Sequence, residues 1–183
     1  PVPTGPSAAD IAFDRLSQRF FDDVLALEPV AATTLGDHRY DDKLDDVSAA
    51  GRERRLTLER ELLSGVRALD AAQLSRAHQV DARLLASQLE YDAWQLTDFQ
   101  DWRWNPIVYS DLAGASIYSL LARDVAPLPD RLRNVGARLS ELPRFLAQVR
   151  ESLDPARVPK VHAETAAKQN GGVISLIDEL VVP

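Results

Sequence analysis

The sequence predicts an all-α fold in which about six to eight helices pack as an irregular array. Apolar residues recur at steps of three and four along most of the chain, which is the spacing of amphipathic helices. These steps never settle into a sustained heptad, so a coiled coil is not expected. Hydrophobic residues make up 45% and charged residues 27% of the 183 residues, a balance typical of a folded globular protein.

Two helices are predicted at the start of the chain. Ser7 or Asp10 can cap a first helix that runs to about Leu27, because either side chain can accept a hydrogen bond from a free backbone N–H. The apolar stripe of this helix comprises Phe13, Leu16, Phe20, Val24 and Leu27. Pro29 suits the first turn of a short second helix, and Gly36 suits its end.

An acidic segment and two longer helices are predicted next. Residues 37–46 include five aspartates but lack the pattern of a calcium-binding EF-hand loop, so a solvated loop is expected. Ser48 is the expected cap of a helix that reaches about Leu69. A further helix should span about 75–97. Its inward residues are predicted to be Val80, Leu84, Tyr91 and Trp94.

The remainder of the chain is predicted to be helical as well. An aromatic loop over 98–106 precedes a helix, because the residue before a proline avoids the α region. Another helix starts near Asp130, and Pro143 is expected to kink or restart it. A last helix spans about 160–169. The Val-Ile stretch after Gly172 either resumes this helix or forms the best strand candidate of the chain.

The ends of the chain shape the predicted domain organisation. Residues 1–9 are expected to be a linker or a processed N-terminus, and residues 10–183 a single helical domain. An apolar segment without a polar tail ends at Pro183, which indicates a domain that is incomplete at its C-terminus. The alternative is a terminal helix docked on its own domain.

Composition excludes several functional classes. The chain has 21 basic and 28 acidic residues and a net charge of −7, which argues against a general nucleic-acid binder. Without cysteine it can form neither a thiolate nucleophile nor a Cys-ligated zinc site. No run of about 18 apolar residues occurs, so no membrane span is expected.

Catalytic and metal-binding motifs are equally scarce. The three histidines, His38, His78 and His162, form no H-E-x-x-H zinc motif. There is no G-x-S-x-G nucleophile elbow and no glycine-rich phosphate loop. We therefore assign no catalytic and no metal-binding residue from motifs. The aromatic cluster Trp102, Trp104 and Tyr109 is the most distinctive local feature, and such rings either line a ligand groove or anchor a loop to a core.

The order of four segments resembles the N-terminal part of the bacterial DUF885 family. These segments are Phe20–Asp23 with Leu27–Gly36 and His38–Ser48, then Trp104–Pro106, then Arg133–Leu139 with Leu142–Leu146, and finally the break at Pro155–Pro159 with Ala166–Gly172. Each motif is only moderately specific, since P-x-x-A-T-x-L-G follows general rules for helices and turns. Together, the segments span most of the chain in the order of the family.

The resemblance implies the front part of a larger, mostly helical protein that looks like a zinc metallopeptidase. The metal motif of such proteins lies downstream, so this chain alone is expected to be inactive and to hold no cofactor, with zinc in the parent protein. The expected partners are the remaining C-terminal part of that parent and a peptide substrate. The resemblance leaves a cytoplasmic and an exported location open.

By the same resemblance, the N-terminal helices would form one wall of the substrate cleft. The residues expected to face this cleft are Arg39, Tyr40, Trp104, Asn105 and Tyr109. Each of them could instead have a purely structural role. A different function, an autonomous helical module that binds a peptide or protein in an apolar groove without catalysis, is the alternative.

Overall fold

The computed structural model describes residues 5–180, which contain seven helices of seven or more residues and no strand. The predicted all-α class is therefore confirmed. The helices are α1 (Ala8–Arg19), α2 (Pro29–Leu35), α3 (Ala49–Arg67), α4 (Arg76–Trp94), α5 (Ile107–Leu121), α6 (Leu128–Ser152) and α7 (Lys160–Leu180). The predicted linker over 1–9 and the apolar end at Pro183 lie partly outside the described residues. Among residues 5–180, no helix is both long and apolar enough to cross a lipid bilayer.

Side chains that cap the helices explain where several of them begin and end. The Ser7 Oγ accepts a hydrogen bond from the Asp10 backbone N–H at 3.0 Å, and the Asp10 side chain accepts one from Ser7 N–H at 3.1 Å. The Ser48 Oγ at the start of α3 accepts a hydrogen bond from Gly51 N–H, and the Ser75 Oγ at the start of α4 accepts one from His78 N–H. Gly36 ends α2 with a φ of +93°, a conformation that glycine adopts without steric strain. The predicted caps at Ser7 and Ser48 and the predicted stop at Gly36 are confirmed.

The chain divides into two compact units. The first unit comprises the residues up to Leu25 and Glu53–Phe99, and therefore α1, most of α3, and α4. Its buried apolar residues include Phe13, Val24, Leu62, Val66, Leu74, Ala82 and Leu89. The start of α1 is fixed to the same unit, because the Asp10 carboxylate accepts hydrogen bonds from Ser75 N–H at 2.8 Å and from the His78 ring at 2.6 Å.

The buried face of α4 differs from the predicted one. Val80, Leu84, Tyr91 and Trp94 were expected inside but are 43%, 64%, 51% and 44% exposed. The inner face is formed by Ala82, Leu85, Ala86 and Leu89, which pack against α1 and α3. Helix α4 carries two apolar stripes, and the helical spacing alone cannot show which of them meets the core. The small alanines on the inner stripe allow close approach of the neighbouring helices.

The second unit comprises Ala26–Arg52 and the residues from Gln100 onwards, and therefore α2, the acidic segment, α5, α6 and α7. Its buried apolar residues include Val30, Leu44, Tyr109, Ile117, Leu120, Val135 and Phe145. Helix α6 is continuous through Pro143, so the predicted restart does not occur. Leu139 before this proline and Phe145 after it both pack into the core, and this packing offsets the lost backbone hydrogen bond. The strand candidate after Gly172 is helical.

The acidic segment is anchored to the second unit, which corrects the prediction of a solvated loop. Asp41 is buried and accepts a hydrogen bond from Thr33 Oγ1 at 2.7 Å. Arg138 of α6 is fully buried and donates to the same hydroxyl oxygen at 2.6 Å. Asp45 accepts from the Val30 N–H at 3.1 Å and so satisfies a free donor at the start of α2. These carboxylates therefore hold the segment against its helices.

Candidate functional site

The candidate site lies on α5 and α7 of the second unit, which run side by side in the same direction. The Ser110 Oγ on α5 donates a hydrogen bond to the Asn170 Oδ1 on α7 at 3.0 Å. One turn further along, a Cβ added to Gly114 would lie 3.4 Å from a methyl group of Val173. The small residue on α5 thus allows the two helices to approach closely, and shallow grooves remain on either side of the contact.

A polar corner forms where these two helices begin. The Asn105 Oδ1 accepts a hydrogen bond from the Ile107 N–H at 3.2 Å, which identifies this atom as the amide oxygen. The His162 Nδ1 lies 3.1 Å from the same oxygen and must therefore donate to it. The imidazole also packs on the Trp104 ring, with centroids 5.4 Å apart. His162 thus contacts two of the five predicted cleft residues, Trp104 and Asn105.

The hydrogen bond from Nδ1 determines what His162 can do chemically. A neutral imidazole with its proton on Nδ1 keeps a lone pair on Nε2. No described residue pairs with Nε2. This nitrogen can therefore accept a hydrogen bond or a proton from a bound molecule. The partially exposed ring is held in orientation by Asn105 and Trp104.

A groove of about 440 Å³ opens next to this corner, and we call it the corner groove. It is lined by Pro106, Leu153, Pro155, Val158, Ala163, Ala166, Ala167 and Asn170. The lining is apolar apart from the Asn170 amide. An apolar wall with a few fixed polar groups at one end is the usual chemistry of a small-ligand or peptide site.

Tyr109, a third predicted residue, lies beneath the corner in the protein core. Its hydroxyl donates to the Trp102 carbonyl at 2.7 Å, and its ring meets Phe145 edge-on at a centroid distance of 6.2 Å. Burial raises the pKa of the Tyr109 phenol. The Trp102 ring is covered by the Arg52 guanidinium at 3.9 Å. Together, these contacts hold the aromatic loop in place, and a direct part of Tyr109 in substrate binding stays a prediction.

Arg39 and Tyr40, the remaining predicted residues, lie on the short turn His38–Tyr40. The Arg39 guanidinium forms an ion pair with Asp37 at 2.7 Å and lies 5.3 Å from the centre of the Tyr40 ring. The Lys43 amine lies at the same distance from that ring. Two basic side chains thus flank the aromatic ring of this turn, and its role in a cleft stays a prediction.

Metal binding can be tested against the geometry of the described residues. Within residues 5–180, no three His, Asp or Glu side chains converge so that they could hold a metal ion. These residues therefore do not fit the zinc ion that the family resemblance implies, and we assign no chemical step to a metal here.

Sequence reasoning missed the contributions of His162 and Asn170. His162 lies 57 positions from Asn105, and only the packing of α7 on α5 brings the two together. Asn170 belongs to one of the resemblance segments, but nothing in the sequence singled it out within that segment. No local signal in the sequence distinguishes either residue from an ordinary surface residue.

Comparison with known proteins places these features in a family. Residues 29–182 match the family described as "Bacterial protein of unknown function (DUF885)". The chain is also similar to a solved structure described as "a putative lipoprotein of unknown function from Shewanella oneidensis", with 30% sequence identity and a TM-score of 0.83. That match covers 90% of this chain and 30% of the other, so this chain spans less than a third of its neighbour's length. No curated protein matches the chain significantly.

Proposed function

The chain belongs to the DUF885 family, and we propose that it is the N-terminal helical portion of a zinc-dependent, peptidase-like hydrolase in which it forms one wall of the substrate cleft. The observation that carries the proposal is the corner groove with the Trp104–Asn105–His162 corner beside it. The activity and the zinc come from the resemblance to peptidase-like members.

The chemistry of the corner groove suits a peptide. Its apolar wall can take up a side chain, and the Asn170 amide in its lining can form a hydrogen bond with a peptide backbone. The Nε2 of His162, the residue before Ala163 of the lining, would add an acceptor beside the groove. The volume of about 440 Å³ lies within the range of known ligand sites, which is roughly 300–1,000 Å³. The aromatic face of Trp104 adds a rigid surface with little conformational entropy to lose on binding.

The length of the similar protein from Shewanella oneidensis also supports the proposal, because the match covers only 30% of that chain. A 30% share leaves room in a protein of that length for a second wall and for a catalytic centre. Residues 5–180 form no group of three metal ligands, and the proposal therefore places the zinc centre mainly in other parts of the parent protein.

The test compares the protein encoded by the complete reading frame with the 183-residue chain. We expect the complete protein to contain zinc and to cleave an internally quenched fluorescent peptide library. The shorter chain should do neither. In the complete protein, Trp104→Leu should raise KM about tenfold and leave kcat nearly unchanged, because it removes binding made equally in the ground and transition states. The matched control Trp94→Leu alters an exposed ring of the first unit.

Two results would contradict the proposal. Zinc-dependent turnover by the 183-residue chain would show that the catalytic residues lie within it. A complete protein that binds no zinc and cleaves no peptide would remove the peptidase reading altogether.

An autonomous binding module is a second candidate, favoured by exposed rings on the first unit. The Trp94 and Phe99 rings stack 5.0 Å apart at an angle of 18°, and Tyr91 lies 6.0 Å from Trp94. Exposed apolar patches commonly mark interaction sites. This candidate predicts that the isolated chain unfolds cooperatively and that a bound peptide changes the fluorescence of Trp94. An aggregating chain would count against it.

A further inference from the structure

Helix α4 carries a second apolar stripe on the side opposite its buried face, and we call it the outer stripe. Its residues are all exposed and follow one another at alternating steps of three and four: Ala77, Val80, Leu84, Ser87, Tyr91 and Trp94. The buried residues Ala82 and Leu89 lie on the other side of the helix. The sequence as a whole has no sustained heptad, but the outer stripe has the spacing by which two helices pack along each other.

The outer stripe is complementary in size to a second copy of itself that runs in the opposite direction. A two-fold axis at the midpoint of the stripe would pair a smaller side chain with a larger one at each level: Ala77 with Trp94, Val80 with Tyr91, and Ser87 with Leu84. Small and large side chains that face each other fill the space between two helices without voids. A parallel pair would place identical residues side by side, large against large and small against small.

Two aromatic rings of the outer stripe are suited to anchor such a contact. Trp94 and Tyr91 are both exposed. The Phe99 ring stacks on the Trp94 ring at a centroid distance of 5.0 Å, which restricts the Trp94 side chain before any partner binds. Tryptophan and tyrosine are enriched among the residues that dominate binding between proteins, and a ring that is already held in place loses less entropy on binding.

The flanks of the outer stripe are complementary in charge in the same antiparallel arrangement. Arg83 and Glu90 lie on one flank, and both are exposed. The two-fold axis brings Arg83 of each copy close to Glu90 of the other, so that two ion pairs of opposite charge form. The Glu90 Oε1 already accepts a hydrogen bond from Arg67 of its own chain at 2.7 Å, so the second guanidinium would bind through Oε2. Charges at the edge of an interface mainly determine which arrangement forms.

We propose that the outer stripe joins two copies of this chain through an antiparallel, two-fold symmetric pair of α4 helices. Such a contact uses the same surface on both copies and is closed, so it gives a dimer and no larger assembly. The proposal goes beyond the peptidase proposal and does not depend on it, since the outer stripe belongs to the first unit and the corner groove to the second. It also identifies a partner for the exposed rings of the first unit.

The first test measures the mass of the 183-residue chain by analytical ultracentrifugation over a range of concentrations. One helix pair is a small interface, so we expect a monomer at about 1 µM and a dimer at about 300 µM. Leu84→Glu should weaken the dimer at least about tenfold, because it places a charge in the apolar contact. Leu35→Glu is the matched control, since this leucine of α2 is 70% exposed and Leu84 is 64% exposed.

A second test reverses the charges on the flank. Arg83→Glu and Glu90→Arg should each weaken the dimer about tenfold, because every ion pair across the contact becomes a pair of like charges. An equimolar mixture of the two variants should dimerise again, because each mixed dimer contains two pairs of opposite charge. The two positions lie about 10 Å apart along one helix, so they cannot compensate each other within one copy. Arg133→Glu, at an exposed arginine of α6, is the control for charge reversal.

The proposal is overturned if the chain is still a monomer at 300 µM, or if Leu84→Glu and Leu35→Glu dimerise equally. It is also overturned if the mixture of Arg83→Glu and Glu90→Arg contains no more dimer than either variant alone. A dimer that is regained on mixing cannot result from a folding defect, because such a defect would be present in both variants before and after mixing.

Discussion

Replacing Arg138 by methionine should strongly destabilise the second unit. The guanidinium is fully buried and donates to the carbonyls of Ser116 at 2.7 Å and Lys43 at 2.9 Å. It also donates to the Pro29 carbonyl at 3.3 Å and to the Thr33 hydroxyl at 2.6 Å. Burial lowers the pKa of Arg138, while nearby aspartates favour its charged form. One side chain therefore connects α2, the acidic segment, α5 and α6.

The size of the effect follows from these four hydrogen bonds. At a net value of about 1 kcal/mol each they contribute about 4 kcal/mol. The methionine recovers part of this by burying its own apolar surface. We therefore expect the free energy of unfolding to fall by about 3 kcal/mol. With a urea dependence of about 2 kcal/mol per molar, the midpoint should fall by about 1.5 M.

The assay is urea denaturation followed by tryptophan fluorescence in a Trp94→Phe background. Of the three tryptophans, only Trp102 and Trp104 then remain, and both belong to the second unit. The control Arg133→Met alters an exposed arginine of the same helix, and it should change stability by no more than about 0.5 kcal/mol. If Arg138→Met fails to fold, Arg138→Lys keeps the charge and should lose about half as much. Equal midpoints for the Arg138 and Arg133 variants would refute the reasoning.

Three further predictions concern the pH dependence of stability and the replacement of two glycines by alanine. The hydrogen bond to Asp10 is the main reason why the pKa of His78 is raised in the folded protein. The interaction between protonated His78 and Asp10 therefore stabilises the fold fully below about pH 6.5, the pKa of a free histidine, and is lost as the pH rises through the pKa of folded His78. The melting temperatures of the native protein and His78→Gln should converge at alkaline pH. Burial raises the pKa of Asp45 to about 6, so the folded protein binds a proton more tightly at this carboxyl than the unfolded chain does. The free energy of unfolding should therefore increase by up to about 3 kcal/mol as the pH falls from 6 to 4. Urea titrations of Asp45→Asn should lack this increase. Gly51→Ala should lower the melting temperature, because its Cβ would overlap a backbone carbonyl, while Gly136→Ala in open space should raise it.

The sequence allowed prediction of the helix ends because short-range chemistry determines them. The hydroxyls of Ser7 and Ser48 lie within three residues of the N–H groups that they cap. Gly36 ends its helix through its own backbone freedom. The buried face of α4 could not be predicted in this way. Its two apolar stripes have the same periodicity, and only contacts with α1 and α3 determine which one is buried.

The candidate site shows the same division between local and long-range information. Trp104 and Asn105 are adjacent in the sequence, and the resemblance singled them out. Their partner His162 comes from a helix that begins more than fifty residues later. The acidic segment was mispredicted for a related reason, since five aspartates suggest solvent exposure until Arg138 and the start of α2 supply buried donors.

The buried core and the grooves of the second unit are linked through α5. Arg138 donates to the carbonyl of Ser116, which lies on α5 between Ser110 and Tyr118, two residues that line a groove between α5 and α7. Helix α7 also packs on α5, through the hydrogen bond from Ser110 to Asn170 and the close approach at Gly114. The position of α5 is thus determined by hydrogen bonds that no ligand touches. Residues far from a groove can therefore change ligand affinity by shifting one of its walls, and controls matched for stability are needed before a loss of binding is attributed to a lining residue.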